Sequence, residues 1–361
     1  MNRDFACTVS QADGHDPTAR EYLGFDIGGT KSTVVLGKHD GSILASETIA
    51  TDHNRQPREM IEALCRIGKR LAASAGRRPL VAAGMSCGGP LDSHQGVIYS
   101  PPNLPDWDAV PIVAIVQDTL GLPARLQNDA NAGALAEWRF GAARGTRNMV
   151  FLTFGTGMGA GIILDGRLYS GTNDMAGEIG HIRMEKEGPV GYGKAGSFEG
   201  FCSGAGIARL AREIVAAEWR RGRATPFCRT EADRKGLDAR TVGAAALAGD
   251  TTALHIIEMT AEYLGRGLAV LVDILNPEII VIGSIFARLE PLIRPKMEAT
   301  LSAEALPRAN QVCKVVPAAL GEDVGKLAAL SVAMQIPFSN ESAIESNNVS
   351  QMEAPDEYER T

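Results

Sequence analysis

The chain has 361 residues, 45% hydrophobic and 22% charged, which gives room for roughly two domains of ordinary size and a sizeable core. A formal net charge of -7 excludes a general nucleic-acid binder, whose affinity comes from clustered Lys and Arg on phosphates, and much of the excess sits near the end, where Glu341, Glu345, Glu353, Asp356, Glu357 and Glu359 face Arg360. The six cysteines (Cys7, Cys65, Cys87, Cys202, Cys228, Cys313) form no Cys-x-x-Cys pair, no apolar run approaches the roughly 20 residues of a membrane helix, and the opening stretch with Asp4, Asp13, His15 and Asp16 has no apolar signal region, so a cytoplasmic protein without a disulfide framework or membrane partner is expected.

In chain order, residues 1–21 are polar and aperiodic and are predicted to be a disordered tail. Tyr22–Phe25, Ser32–Leu36 and Ile43–Ile49 read as strands, and Met60, Ile61, Leu64, Ile67 and Leu71 lay an apolar stripe along a helix. A strand at Leu80–Met85, a short one near Gly96–Tyr99, a helix over Asp108–Leu120 and a strand at Ala124–Gln127 follow, then an alanine-rich helix over Ala132–Phe140. A similar series begins with strands at Asn148–Phe154, Ala160–Leu164 and Leu168–Tyr169, a helix after Ser203 and a long helix over Thr251–Leu275. Glu278–Ile282 and Val312–Val316 read as strands and Val324–Met334 as the last helix, before a second disordered, acidic tail at 337–361. Strands alternating with helices predict two α/β lobes, 22–130 and 131–336, with a cleft between them and the terminal helix 323–335 packing back on the smaller lobe.

Asn128-Asp129 stands where a strand gives way to a helix, which is where α/β proteins place their chemistry, although Asn and Asp are also the preferred helix caps. Asp26-Ile27-Gly28-Gly29-Thr30-Lys31 joins the first two strands: its glycines let backbone N–H groups approach an anion, Thr30 adds a hydroxyl, Lys31 a charge, and Asp26 suits a hydrated Mg²⁺. Thr153-Phe154-Gly155-Thr156-Gly157-Met158-Gly159 repeats the device at the head of the second lobe. One such turn is as readily a plain hairpin, but two at equivalent places can hold the ends of a polyphosphate. Neither matches a P-loop or the dinucleotide fingerprint. Gly204-Ala205-Gly206 at a helix start and Gly283-Ser284 after a strand are candidates for the adenosine. In the first lobe, Gly89 and Asn103 sit in loops rich in Gly, Pro and Asn, as turn formers or as ligands.

The two turns, Asn128-Asp129, Gly177-Glu178-Ile179-Gly180-His181 and Gly193-Lys194-Ala195-Gly196-Ser197-Phe198-Glu199 together resemble the ROK family (repressors, open reading frames, kinases) over about Tyr22–Met334. The resemblance implies a two-lobed actin-like ATPase fold of the ribonuclease H-like type and ATP- and Mg²⁺-dependent phosphorylation of a sugar, glucose first, with N-acylhexosamines, mannose or fructose behind it. It implies Asp129 as general base, and Gly89, Asn103, Asn128, Glu178, His181 and Glu199 as sugar ligands alongside it. Phosphate and nucleotide contacts fall to Asp26, Gly28, Gly29, Thr30, Lys31, Thr156, Gly157, Gly204, Gly283 and Ser284, and a homodimer is implied. The family's structural zinc uses three cysteines where this chain has Val190, Tyr192 and Ser197, which cannot replace thiolates in a tetrahedral site. No zinc is expected, Val190, Tyr192 and Phe198 are expected to pack the loop instead, and His181 is left for sugar or a local hydrogen bond. The rival readings are a sugar-responsive repressor, for which the 21 residues before the first strand are too few to form a helix-turn-helix unit, and a catalytically silent sugar-binding protein.

Overall fold

The computed structural model describes residues 20–74 and 80–336. The predicted tails lie outside the described residues, except that Glu21 already belongs to the first strand, paired with Lys38 and almost fully buried. Strands β1 (Glu21–Ile27), β2 (Lys31–Lys38) and β3 (Ile43–Ala50) form an antiparallel meander, and helix α1 (Pro57–Ser74) buries the predicted stripe. Strand β4 (Leu80–Cys87) pairs parallel with β1, the hairpin β5 (Leu91–Asp92) and β6 (Val97–Ile98) follows, and after α2 (Ile112–Leu120) strand β7 (Ala124–Asn128) pairs parallel with β4. The sheet order is β3-β2-β1-β4-β7. Helix α2 begins four residues later than the predicted Asp108, because Pro111 disfavours helical backbone at the residue before it and Val110 instead pairs with Ile98.

Helix α3 (Asp129–Arg139) leads to the second sheet, built from β8 (Met149–Phe154), β9 (Met158–Leu164) and the short β10 (Arg167–Leu168). A small hairpin, β11 (Val190–Gly191) and β12 (Lys194–Ala195), precedes helices α4 (Phe198–Cys202), α5 (Gly204–Arg220), α6 (Glu231–Gly236), α7 (Ala239–Leu247) and α8 (Thr251–Leu275). Then come β13 (Ile279–Ile282), α9 (Ile285–Glu304), α10 (Pro307–Asn310), β14 (Lys314–Pro317) and α11 (Val324–Ala333), giving a sheet order of β10-β9-β8-β13-β14. Sequence periodicity does not reveal α9, because Pro291 and Pro295 interrupt the pattern, yet Ile285, Phe286, Leu289, Ile293, Met297 and Leu301 bury one continuous face.

Helices α3 and α11 lie between the two sheets. Gly24 and Gly84 let α11 press on the first sheet, since a Cβ at either would strike the backbone or Cβ atoms of Ala329, Leu330 or Ala333. Gly133 and Gly161 do the same for α3 against Phe151 and β9. The resulting core joins Val35 and Ala82 of one sheet to Phe151 and Val281 of the other through Ala132, Leu135 and Leu330. This two-lobed actin-like arrangement leaves an open cleft beyond the helices, at the carboxyl ends of the parallel strands.

Candidate active site

Parallel pairing brings the carboxyl ends of β1, β4 and β7 side by side: Asp26 is registered with Ser86, and Cys87 with Asn128. In open α/β sheets ligands bind at that edge. Asn128 is the helix cap, its Oδ1 accepting the Asn131 N–H at 2.7 Å. Asp129 is therefore released from capping. It is the first residue of α3, its Oδ1 accepts the Ala130 N–H at 2.8 Å, and it is exposed to solvent. Although solvent reaches Asp129, the protein around it is dense enough that burial raises its pKa, opposed by the backbone N–H bonds it accepts. Burial also raises Asp26, with Asp129 adding repulsion and Lys31 opposing both. The buried Cys87 thiol is pushed up by burial and then by both carboxylates.

The glycines of the first turn act differently from the expectation. Neither Gly28 nor Gly29 has a left-handed backbone, and the Gly28 N–H is already donated to the Lys31 carbonyl at 3.1 Å. Gly29 is required because a Cβ there would strike the carbonyl oxygen of Asn103. Thr51 donates its hydroxyl to the Gly28 carbonyl at 2.6 Å, and His53 Nε2 stands 2.6 Å from the Gly29 carbonyl. Thr30 and Lys31 project from the turn as exposed residues. Asn103 thus abuts the first glycine-rich turn, and its Oδ1 lies where it would touch a Cβ on Gly88, next to the exposed Gly89.

On the other lobe Glu178, His181 and Glu199 gather at one face. Burial raises the pKa of Glu178; His181 lowers it, and Asp129 and Glu199 raise it, so these charges share one space. His181 ends a short 3-10 turn, Ile179–His181, and packs edge-on against Tyr192 with ring centroids 5.2 Å apart. Glu199 accepts the Met158 N–H at 3.1 Å and so braces the second turn from α4. Gly157 leaves room for it, since a Cβ there would lie 3.0 Å from Glu199 Oε2.

The loop that carries the family's cysteines is held by other bonds. Val190 and Tyr192 are 41% and 67% exposed, so the expectation that they pack the loop fails: Val190 opens β11 opposite Ala195, and Tyr192 stands in the turn of the β11–β12 hairpin with its ring against His181. Phe198 alone is buried, against Gly267 of α8. Ser197 caps α4 by accepting the Gly200 N–H at 3.1 Å, Lys194 Nζ donates to the His181 carbonyl at 2.6 Å, and Arg183 donates to the Ala195 carbonyl at 2.8 Å.

Beside the second turn lies a cavity of about 810 Å³. Thr156, Gly204 and Ser284 line it. Gly157 and Gly283 do not: Gly157 turns toward Glu199, and Gly283 is buried with its N–H donated to the Leu152 carbonyl at 3.0 Å. The Gly204 and Ala205 N–H groups are also spent, on the carbonyls of Gly155 and Thr156. Ser284 has a left-handed φ of 53°, a backbone that favours glycine. Arg212, Asp238, Arg240 and Arg288 complete the wall and carry no local motif. The four-residue spacing of Ala208 with Arg212 sets that pair on one face of α5.

The ROK family model matches residues 22–336. The chain belongs to the ROK family. A glucokinase of Halalkalibacterium halodurans is 35% identical over 85% of this chain and 92% of its own length. An N-acetylmannosamine kinase of Citrobacter koseri is 34% identical over 68% of this chain and 77% of its own length. Among solved structures, a ROK glucokinase from Streptomyces griseus in complex with glucose and AMPPNP superposes with a TM-score of 0.69 at 29% identity, covering 88% of this chain and 100% of that one. Unlike the ROK zinc pattern, Val190, Tyr192 and Ser197 offer no thiolate, and among the described residues no group of three or more His, Cys, Asp or Glu side chains is placed to hold a metal. No helix among the described residues is long and apolar enough to cross a membrane.

Proposed function

We propose that glucose is the leading acceptor of this ATP-dependent sugar kinase, with N-acylhexosamines, mannose and fructose as the competing acceptors. The observation that carries the reading is the position of Asp129, at a strand-to-helix junction in the cleft, uncommitted to capping, with a raised pKa and in electrostatic reach of Asp26 and Glu178. A carboxylate whose pKa is raised toward the working pH is a better proton acceptor than an ordinary one. The sugar is held by Gly89, Asn103, Asn128, Glu178, His181 and Glu199, which supply the acceptors and mixed donor-acceptors a ring of hydroxyls needs. Asp129 takes the proton from the reacting hydroxyl as that oxygen attacks the γ-phosphorus in line, and the bond to the β,γ-bridging oxygen breaks to release ADP.

The purine and ribose occupy the cavity beside Thr156, Gly204 and Ser284, with Arg212, Arg240 and Arg288 around them. Thr30, Lys31 and Gly29 of the first turn, together with Thr156 and Gly157 of the second, bracket the phosphates, with Gly28 shaping the first turn and Gly283 leading from β13 to Ser284 at the cavity. Asp26 and Asp129 are two carboxylates whose mutual repulsion favours a dication, and Asp26 would hold Mg²⁺ through water. When bound, that ion offsets phosphate charge in the transition state. A homodimer in the cytoplasm without nucleic-acid partners completes the reading.

Coupled measurement of ATP consumption over glucose, mannose, fructose, N-acetylglucosamine and N-acetylmannosamine tests it. The expected outcome is Mg²⁺-dependent turnover with the highest kcat/KM on glucose. A preference for N-acetylmannosamine would reassign the substrate, and ATP consumption indifferent to every sugar would overturn the kinase reading.

A further inference from the structure

Asp174 is a buried carboxylate, 4% exposed, in the loop between β10 and Glu178. Both of its oxygens are used on one residue of the opposite lobe: Oδ2 accepts the Ser93 N–H at 2.6 Å and Oδ1 accepts the Ser93 hydroxyl at 2.9 Å. Asp92, next to Ser93, is the instructive contrast. It spends its oxygens inside its own turn, on the Gln95 N–H at 2.8 Å and the Gln95 side-chain amide at 2.9 Å. Asp174 reaches across the cleft instead. Its backbone is left-handed, with φ at 61°, where glycine would be relaxed, so the carboxylate is held at the expense of backbone strain.

Neither end of this contact has slack. Ser93 sits in the β5–β6 hairpin, between Gly89 and Asn103, and the hairpin is rooted in the first-lobe core by Leu91 and Ile98 and closed by the Tyr99 N–H on the Pro90 carbonyl at 3.0 Å. The Asp174 loop is tied by the Ala176 N–H on the Ser170 carbonyl at 3.0 Å and by the Ala160 N–H on the Gly177 carbonyl at 2.8 Å. Gly177 packs so closely on β9 that a Cβ there would strike the Ala160 carbonyl. Glu178 follows directly. Two hydrogen bonds from the half-buried Ser93 to the buried Asp174 carboxylate therefore link the segment carrying Gly89 and Asn103 to the segment carrying Glu178.

We propose that the Asp174–Ser93 contact is an interlobe clasp that sets the spacing of the sugar ligands on the two lobes, with Asp174 as a positioning residue for the acceptor. This inference rests on the sugar-kinase reading. With the clasp released, the two lobes spend part of their time apart, and apparent sugar affinity falls by the fraction of molecules with a complete site, while a molecule that has bound sugar reacts as before.

The test uses Asp174→Gly, which removes the carboxylate and accommodates the left-handed backbone, with Ser93→Ala, the double variant and Asp174→Asn. Asp174→Gly is expected to raise the KM for sugar by about tenfold or more, in line with two lost charge-assisted bonds, with kcat and the KM for ATP within about twofold of wild type. The double variant should be no worse than Asp174→Gly, and Asp174→Asn, which still accepts the Ser93 N–H, should fall between it and wild type. An unchanged sugar KM, or equal rises in the sugar and ATP constants, would overturn the clasp. Hydrogen exchange of the ligand-free protein gives a readout that needs no substrate: the Ser93 segment should exchange faster in Asp174→Gly while β8 and β13 are unaffected, and unchanged exchange there rejects the clasp. Wild-type turnover on sugars, measured alongside, separates failure of the kinase reading from failure of the clasp.

Discussion

The two glycine-rich turns look alike in sequence and are built differently. The first carries its own charges, Asp26 and Lys31, and is braced by Thr51, His53 and the backbone of Asn103. The second carries none, borrows Glu199 from α4 and the opening amides of α5, and opens onto the 810 Å³ cavity. In the proposed reading the first is the chemical end and the second the binding end. What glycine does also differs: Gly29 avoids backbone, which cannot move aside, whereas Gly157 avoids the tip of a carboxylate, which can.

Gly29→Ala tests that difference with the largest expected effect. The new methyl must displace either the turn or the Asn103 loop, and a shift near 1 Å in a reacting site lowers turnover by about 10²-fold; steady-state kcat near wild type would show that the turn tolerates the methyl. Gly157→Ala is the counterpart, expected to change stability by no more than about 0.5 kcal/mol in urea denaturation because Glu199 can rotate, with the KM for ATP affected more than kcat. Reversed effects of the two substitutions would erase the distinction between the ends.

The charged end also predicts a pH dependence. Burial raises both Asp26 and Asp129 above their ordinary value, so the native protein binds protons more tightly than the unfolded chain, and stability falls as pH rises from the unfolded pKa through the folded one. Asp26→Asn should therefore melt at a higher temperature than wild type at pH 7, and the gain should vanish below about pH 4, where the carboxyl is protonated in both states. A lower melting temperature at pH 7 would mean that the carboxylate is a net stabilising group. The smallest effects belong to the loop behind Glu199: Ser197→Ala should cost about 1 kcal/mol through loss of the α4 cap, and a chelator should leave thermal melting unchanged, since no thiolates couple metal binding to folding. A chelator-induced drop in melting temperature would reveal a metal.

What was legible in the sequence is what is local. Asp26–Lys31, Asn128-Asp129 and Thr153–Gly159 each place their side chains within one strand-turn unit, and together they carried the ROK resemblance that the family match over residues 22–336 bears out. The Arg212, Arg240 and Arg288 wall and the Ser93–Asp174 pair join segments far apart in the chain, 81 residues in the second case, and beyond the helical spacing of Ala208 with Arg212 no local pattern announces them. Val190 and Tyr192 were misread because residue type sets an apolar preference but not which side of a two-residue hairpin faces water. The cap was blurred for a similar reason, since Asn128 and Asp129 are equally good caps by type and only the backbone assigns the task to Asn128.

That assignment makes the turnover of Asp129→Asn the most direct measurement of the central claim. The substitution removes the proton acceptor while Asn128 still caps α3 and the cleft keeps its shape. Asp129 as general base predicts a folded protein that still binds sugar and turns over roughly 10²-fold or more slowly. A variant retaining more than about a tenth of wild-type turnover, well short of that contribution, would contradict it.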